Sequence, residues 1–384
     1  MCTVTGPRPQ LSARRLGRAT LARQLLLRRE RLDVVDAVRR VGALQAQEPA
    51  SPYLALWNRV EAFDPAELDT AFAERRLVKA TLMRITLHAV AAAERAPLHA
   101  AVLRTLRASR LADRRFTSTG LTAQDADDAL PEVLDLLQQP RTGAEVETAL
   151  AGHRDPETAK RLWWALKTYA PVRHAPTGGS WSFGRRPAYQ AAGEVPGESE
   201  QTAGVVHLVR RYLAAFGPAT VADVWAFAMV HRPRVRAALE ALDDELVRYE
   251  GPSGEELVDL AGAALPDEDE PAPPRLLGMW DSALLAHGDR ARVVPEEHRR
   301  LVGRVNGDSL PTLLVDGRVA GVWRPVEGRV EATAFEPLPA AAWDGLAAEA
   351  HVLTALLADR EPTAYSRYAH WWAKLPEAAQ VRLL

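Results

Sequence analysis

The stretch Val206–Leu260, VHLVRRYLAAFGPATVADVWAFAMVHRPRVRAALEALDDELVRYEGPSGEELVDL, decides the fold. Its apolar residues recur at helical spacing from Val206 to Phe216, and Gly217-Pro218 stops that helix. Thr220 is a natural N-cap for a second helix, Val221 to Met229. Pro233 opens a third, Arg234 to Leu242. Leu246–Tyr249 and Glu256–Leu260 then alternate around a Gly251–Gly254 turn, the signature of a hairpin. Three helices followed by a hairpin outline a winged helix. The same order also serves as a packing unit without nucleic acid, so the outline alone does not assign a function.

Working outward, the outline recurs. Upstream, helices are predicted over residues 131–139, 144–151 and from Asp155-Pro156 onward, the last with Leu162, Trp163, Leu166 and Tyr169. A wing of Val172–His174, a Thr177-Gly178-Gly179 turn and Ser180–Phe183 follows. Further upstream, helices are predicted over 13–29, 34–44 and 51–60, with a fourth from Asp64-Pro65. β-Branched residues become common over 77–82 and 85–90, which predicts a strand pair before a long helix, Ala92 to Asp113. Downstream, Pro266–Pro274 is acidic and proline-rich and reads as an exposed linker. Thr312–Val315 and Val319–Trp323 flank Asp316-Gly317, a strong hairpin signal. More β structure is expected over 329–335, a helix over 340–357, then an aromatic tail. The expectation is a mainly α fold with small β wings (α+β): tandem winged-helix motifs plus a C-terminal β-rich region with a hairpin. Its parts are a flexible tail (1–11), a first winged helix (12–120), a second (121–195), a third (200–262), the linker (263–274) and the C-terminal region (275–384).

Composition bounds the function. Of 384 residues, 47% are hydrophobic and 26% charged, which excludes a disordered or collagen-like chain. No apolar run approaches the roughly 18 residues of a membrane span. The first residues, MCTVTGPRPQ, lack the apolar core of a signal peptide. The single cysteine, Cys2, excludes an internal disulfide and fits a cytoplasmic protein. Residues 1–120 hold 21 basic against 11 acidic side chains, and the remainder 27 against 39. A basic first third can face a polyanion. Arginine supplies 44 of the 48 basic residues. Its fork suits phosphate, although GC-rich codon usage also yields arginine.

Several chemistries are absent. There is no phosphate-binding Gly-x-x-x-x-Gly-Lys, dinucleotide fingerprint, His-Glu-x-x-His or Gly-x-Ser-x-Gly. The ten histidines lack metal-ligand spacing, so neither a metal nor a cofactor is expected. The unusual segment is Gly42-Ala43-Leu44-Gln45-Ala46-Gln47-Glu48-Pro49. At extended spacing the amides of Gln45 and Gln47 point to one side. Such a pair ordinarily caps a helix end.

Those residues also carry a resemblance. Leu16–Leu27, Leu44–Pro49, Pro52–Trp57, Arg84–His88, Leu284–Arg290 and Leu314–Arg324 resemble, in order, the AlkZ-type (YcaQ-like) winged-helix DNA glycosylases. The resemblance implies a monofunctional DNA glycosylase with tandem winged helices around a concave DNA-binding face. The family's catalytic Gln-hydrophobic-Gln motif falls on Gln45-Ala46-Gln47. The Gln-Gln form resembles a branch that removes bulky N7-alkylguanine adducts and protects producers of DNA-alkylating natural products. The Gln-Asp form resembles a branch that also unhooks interstrand crosslinks, which stays open here.

The chemistry agrees with this reading. An amide is no strong base, but it can hold and orient a water. Alkylation at N7 makes guanine cationic, so it departs neutral, and a positioned water at C1′ suffices. Arg84 and His88, in the first wing, are candidates for the same DNA-binding face or for internal packing. Arg318 would lead the Asp316-Gly317 hairpin toward a groove. Arg14, Arg15, Arg18 and Arg23 are candidate phosphate contacts, with Arg104, Arg107, Arg110, Arg114 and Arg115 on a second helix. The expected partner is double-stranded DNA with alkylated bases, bound by a monomer without a membrane role. The alternative is a non-catalytic winged-helix DNA-binding protein or transcriptional regulator, which would ordinarily dimerise on two half-sites.

Overall fold

The third unit forms where its local signals lie. Helices Glu198–Phe216, Val221–Ala228 and Arg232–Ala241 precede antiparallel strands Leu246–Glu250 and Glu256–Leu260. The Thr220 hydroxyl accepts from Asp223 N–H while the Asp223 carboxylate accepts from Thr220 N–H, a reciprocal cap. The same device starts helices Ala123–Leu136 and Gly143–Leu150, from Thr122 and Thr142. These features come from a computed structural model that describes residues 8–384.

The first two units do not stand apart. Strands Leu77–Thr81 and Leu87–Ala91 pair as expected, and Leu44–Gln45 adds a third strand against Ala89 and His88. Strand Val172–Ala175 of the second unit then joins this sheet through Lys79 opposite His174. The result is one six-stranded sheet, completed by Ala188–Ala191 and Arg141–Thr142. The expected second wing over 180–183 is therefore corrected: Val172–Ala175 pairs with Ala188–Ala191 instead. Burial explains the change. Trp181 packs 5.0 Å from Tyr53, and Phe183 packs 4.9 Å from Phe72, so the intervening segment crosses to the first unit.

Alternation along the sheet divides two cores. Leu44, Ala46, Leu77 and Ala89 face a core shared with the C-terminal region, whereas Val78, Ala80 and Val90 face one shared with the second and third units. The C-terminal region is a five-stranded antiparallel sheet running from Arg275–Leu277 through Thr312–Val315, Arg318–Val326 and Arg329–Ala334 to Gln380–Leu383. Helix Ala340–Arg360 packs on it. Among the described residues no helix is long and apolar enough to cross a membrane.

Two other expectations need correction. The first helix ends at Arg23 rather than residue 29, because Leu26 N–H bonds back to the Leu21 carbonyl at 2.8 Å and Leu25 turns left-handed. Of the expected tail, residues 1–7 lie outside the described residues, and Leu11 is buried, with its N–H on the Glu250 carbonyl. The acidic stretch is exposed over 267–271 but tethered, since Arg14 Nε donates to the Glu268 carbonyl at 2.9 Å.

Buried ion pairs fasten the parts. Arg59 grips Asp281 with both terminal nitrogens at 2.8 and 2.7 Å, both residues being fully enclosed. Arg23 grips Asp259 at 2.7 and 2.6 Å. Removing one partner strands a buried charge. Asp281→Ala is thus expected to lose about 3–5 kcal/mol of stability. Arg59→Met/Asp281→Leu should lose far less. Urea denaturation of the two variants checks this; equal losses would contradict it.

Candidate active site

Pairing puts Gln45 directly opposite His88 in the sheet. Gln45 is 5% exposed and His88 is fully buried, whereas Gln47 is exposed. Between the strands, Arg84 and Ile85 both have left-handed backbones, φ 53° and 60°. A β-branched residue there is unusual, and each costs about 1–3 kcal/mol. That strained turn aims Arg84 at the motif. Arg84 Nη2 donates to Gln45 Oε1 at 2.7 Å and reaches His88 Nε2 at 3.4 Å. Its guanidinium also lies 4.8 Å from the centre of the Phe227 ring, in the third unit.

The protonation states follow from the surroundings. His88 Nδ1 lies 3.0 Å from the Thr86 carbonyl, which can only accept, so Nδ1 carries the proton and Nε2 faces Arg84 as an acceptor. Burial, reinforced by Arg84, pushes the His88 pKa down to about 3, so the ring is neutral. Burial and the nearby Arg290 push Arg84 down to about 10, still charged at neutral pH. Arg84 thus occupies one lone pair of Gln45 Oε1. The Gln45 amide nitrogen and that of Gln47 have no partner among the described residues, while Gln47 Oε1 accepts from Leu87 N–H at 3.4 Å. Two amide NH2 ends and one spare lone pair on each carbonyl are therefore available to a small polar molecule.

Glu48, in the same run, is a neighbour that local pattern does not single out. Its carboxylate accepts from the Tyr368 hydroxyl at 2.8 Å and pairs with Arg367, and burial raises its pKa. Tyr368 stacks edge-on with Trp280 at 5.5 Å, so aromatic side chains stand beside the motif. Phe227 was likewise unforeseen; nothing local marks it.

The other expected DNA contacts divide. Arg18 and Arg23 are corrected to structural roles: both are buried, Arg18 on the Asp316 carbonyl at 2.9 Å and Arg23 on Asp259. His88 is too deeply buried to touch DNA, and Arg84 turns inward to Gln45. The hairpin tip is not free either, because Asp316 pairs with Arg14 at 2.8 Å and with Arg18. Arg14 and Arg318 remain exposed beside this tip, and Arg15 is half-buried. On the long helix Ala92–Leu111 and just after it, Arg104 pairs with Glu198, Arg107 with Asp127 and Arg115 with Asp113, and Arg110 donates to the Thr168 hydroxyl at 2.9 Å. Arg114 is exposed. Glu297, His298 and Glu336 lie within reach of one another; His298 Nδ1 donates to the Val319 carbonyl at 3.0 Å, and its Nε2 faces Glu336 at 3.6 Å.

With this geometry in view, the comparisons are specific. The chain belongs to the AlkZ-like DNA glycosylase family, whose model matches residues 38–356. An interstrand DNA cross-link repair glycosylase of Streptomyces sahachiroi is 31% identical over 367 residues, covering 89% of this chain and 96% of the relative. The solved structure of the Streptomyces sahachiroi DNA glycosylase AlkZ superposes with a TM-score of 0.77 at 25% identity, over 90% of this chain and 97% of that one. The enzyme class is accordingly DNA glycosylase, and its substrate is DNA.

A pH dependence follows from the buried histidines. Burial lowers His88 and His174 to about 3 and His99 to about 4, and His287 falls as well. Below pH about 6.5 the unfolded chain takes up protons that the folded one refuses. Stability should fall from pH 7 to pH 5, by up to about 1.4 kcal/mol per pH unit for each histidine once that proton is bound. Urea midpoints across this range check it; a flat profile would contradict the neutral interior.

Proposed function

We propose that this enzyme hydrolyses the N-glycosidic bond of N7-alkylated purines in double-stranded DNA, bulky alkylguanine adducts foremost, as a cytoplasmic monomer. The observation that carries this reading is the pair of free amide ends at Gln45 and Gln47, one fixed by Arg84 and the other open to solvent. A water held there accepts from one amide N–H and donates to the spare lone pair of Gln45 Oε1, which leaves its second lone pair for C1′. Its oxygen attacks C1′ as the C1′–N9 bond breaks. The bonding electrons leave with the cationic base, which departs neutral, and the surplus proton passes to solvent. No strong base is needed, so two neutral side chains suffice. Arg84 keeps Gln45 aimed, and neutral His88 keeps Arg84 in place. Arg14, Arg15 and Arg318 serve as phosphate contacts that add salt-dependent affinity.

The exposure of Gln47 supports action on a bulky lesion, because the adduct need not enter an enclosed pocket. The same openness suits a base tied to the opposite strand, in line with the name of the cross-link repair relative. The Gln-Gln form of the motif supports a role in protecting the host from its own DNA-alkylating product.

Purified protein should release alkylated base from N7-alkylguanine duplexes, leaving alkali-sensitive abasic sites. Gln45→Ala and Gln47→Ala should each slow release at least about tenfold, roughly 1.4 kcal/mol in the barrier, with duplex binding largely kept. Wild type and double variant equally inert on every N7 adduct would leave only a DNA-binding protein.

A further inference from the structure

The seam between the first and second units holds a cationic cavity that the glycosylase chemistry does not use. It measures about 310 Å³ and is lined by Lys79, Arg75, Arg173 and His174, with Phe72 and Phe183 as an apolar wall. Lys79 sits opposite His174 in the sheet. It follows the strand's alternation onto the face away from Gln45 and His88.

The charges there are uncompensated. Lys79 is only 4% exposed, yet among the described residues its ammonium makes no hydrogen bond or ion pair and lies 4.8 Å from the centre of the Phe183 ring. Burial pushes its pKa down to about 8, and the Glu48 charge, already held by Arg367 and Tyr368, offsets only part of this. Arg75 is exposed at the rim and forms no ion pair among the described residues. Arg173 donates to Gln190 Oε1 at 2.9 Å and meets no carboxylate, and burial together with Arg75 lowers its pKa. His174 is neutral, and no acidic side chain lines the cavity. By contrast, the buried Arg23 and Arg59 are each held by a carboxylate. A buried ammonium without an anion is costly, and a bound anion would remove that cost.

We propose that this cavity binds the terminal phosphate of a small molecule, with Lys79 at its floor, Arg75 and Arg173 as forks at its rim and Phe183 against the ligand's apolar part. Guanidinium forks and a recessed ammonium match phosphate oxygens. The volume lies at the small end of ligand sites. A duplex backbone cannot reach so recessed an amine, whereas a phosphate at the end of a small ligand can.

The test is thermal unfolding of the full chain in inorganic phosphate against chloride at matched ionic strength. Phosphate should raise the wild-type Tm with saturation on the order of 1 mM, a weak but specific affinity. Lys79→Met should abolish the rise, Lys79→Arg should restore part of it, and Arg75→Ala should weaken it by about tenfold. Release of alkylated base should be unchanged in all three. An equal rise in Lys79→Met would overturn the proposal. So would displacement of phosphate by a duplex lacking terminal phosphates, which would make the ligand DNA backbone.

Discussion

Arg59 and Asp281 meet with both nitrogens and both oxygens engaged where no water reaches, and the site hangs from this pair. Arg59 lies just beyond helix Ser51–Trp57, which begins two residues after Gln47-Glu48-Pro49. Asp281 precedes Ser282, whose hydroxyl donates to the Ala43 carbonyl at 3.0 Å, two residues before Gln45. The motif is therefore clamped from both sides by one C-terminal segment. An apolar contact there would tolerate a slide of one turn. A buried charge pair does not, because any other register strands a charge. A few residues on, His287 reaches the Phe216 carbonyl at 3.0 Å and Gly288 N–H reaches Asp223, which attaches the third unit to the same segment.

Within that frame the site is ordered by a short relay. The left-handed turn at Arg84 and Ile85 stores strain, and what it secures is the direction of one guanidinium. Neutral His88 accepts from it, Gln45 accepts from it, and the Phe227 ring faces it. Had His88 been protonated, two cations would oppose each other in an enclosed space. Burial thus does two things at once: it keeps the imidazole neutral and holds the arginine to the amide, the imidazole and Phe227.

Legibility followed locality. The third unit was readable because its caps, its Gly217-Pro218 stop and its Gly251–Gly254 turn lie within a few residues of what they organise. The family blocks likewise marked Gln45 and Gln47 within one short run. What failed was decided at a distance. Arg18 and Arg23 read as surface charges, since Asp316 and Asp259 stand hundreds of residues away. The strand over 180–183 was plausible by pattern, but Trp181 and Phe183 find better burial against Tyr53 and Phe72. Nor could periodicity show that Gln45 is covered while Gln47 is open, because Arg84 reaches Gln45 only through a left-handed turn that no repeat pattern marks.

The fusion of two wings into one sheet has a further consequence. Winged helices are elsewhere exchangeable modules, inserted or lost as blocks. Here the strand Val172–Ala175 completes a ladder begun by Leu77–Thr81. Contacts of such long sequence separation delay assembly, since the loop must close before pairing rewards it. Recombination that swapped the second unit for a foreign one would cut the sheet that carries the motif, two strands from Leu44–Gln45, so the two units are tied to a common inheritance.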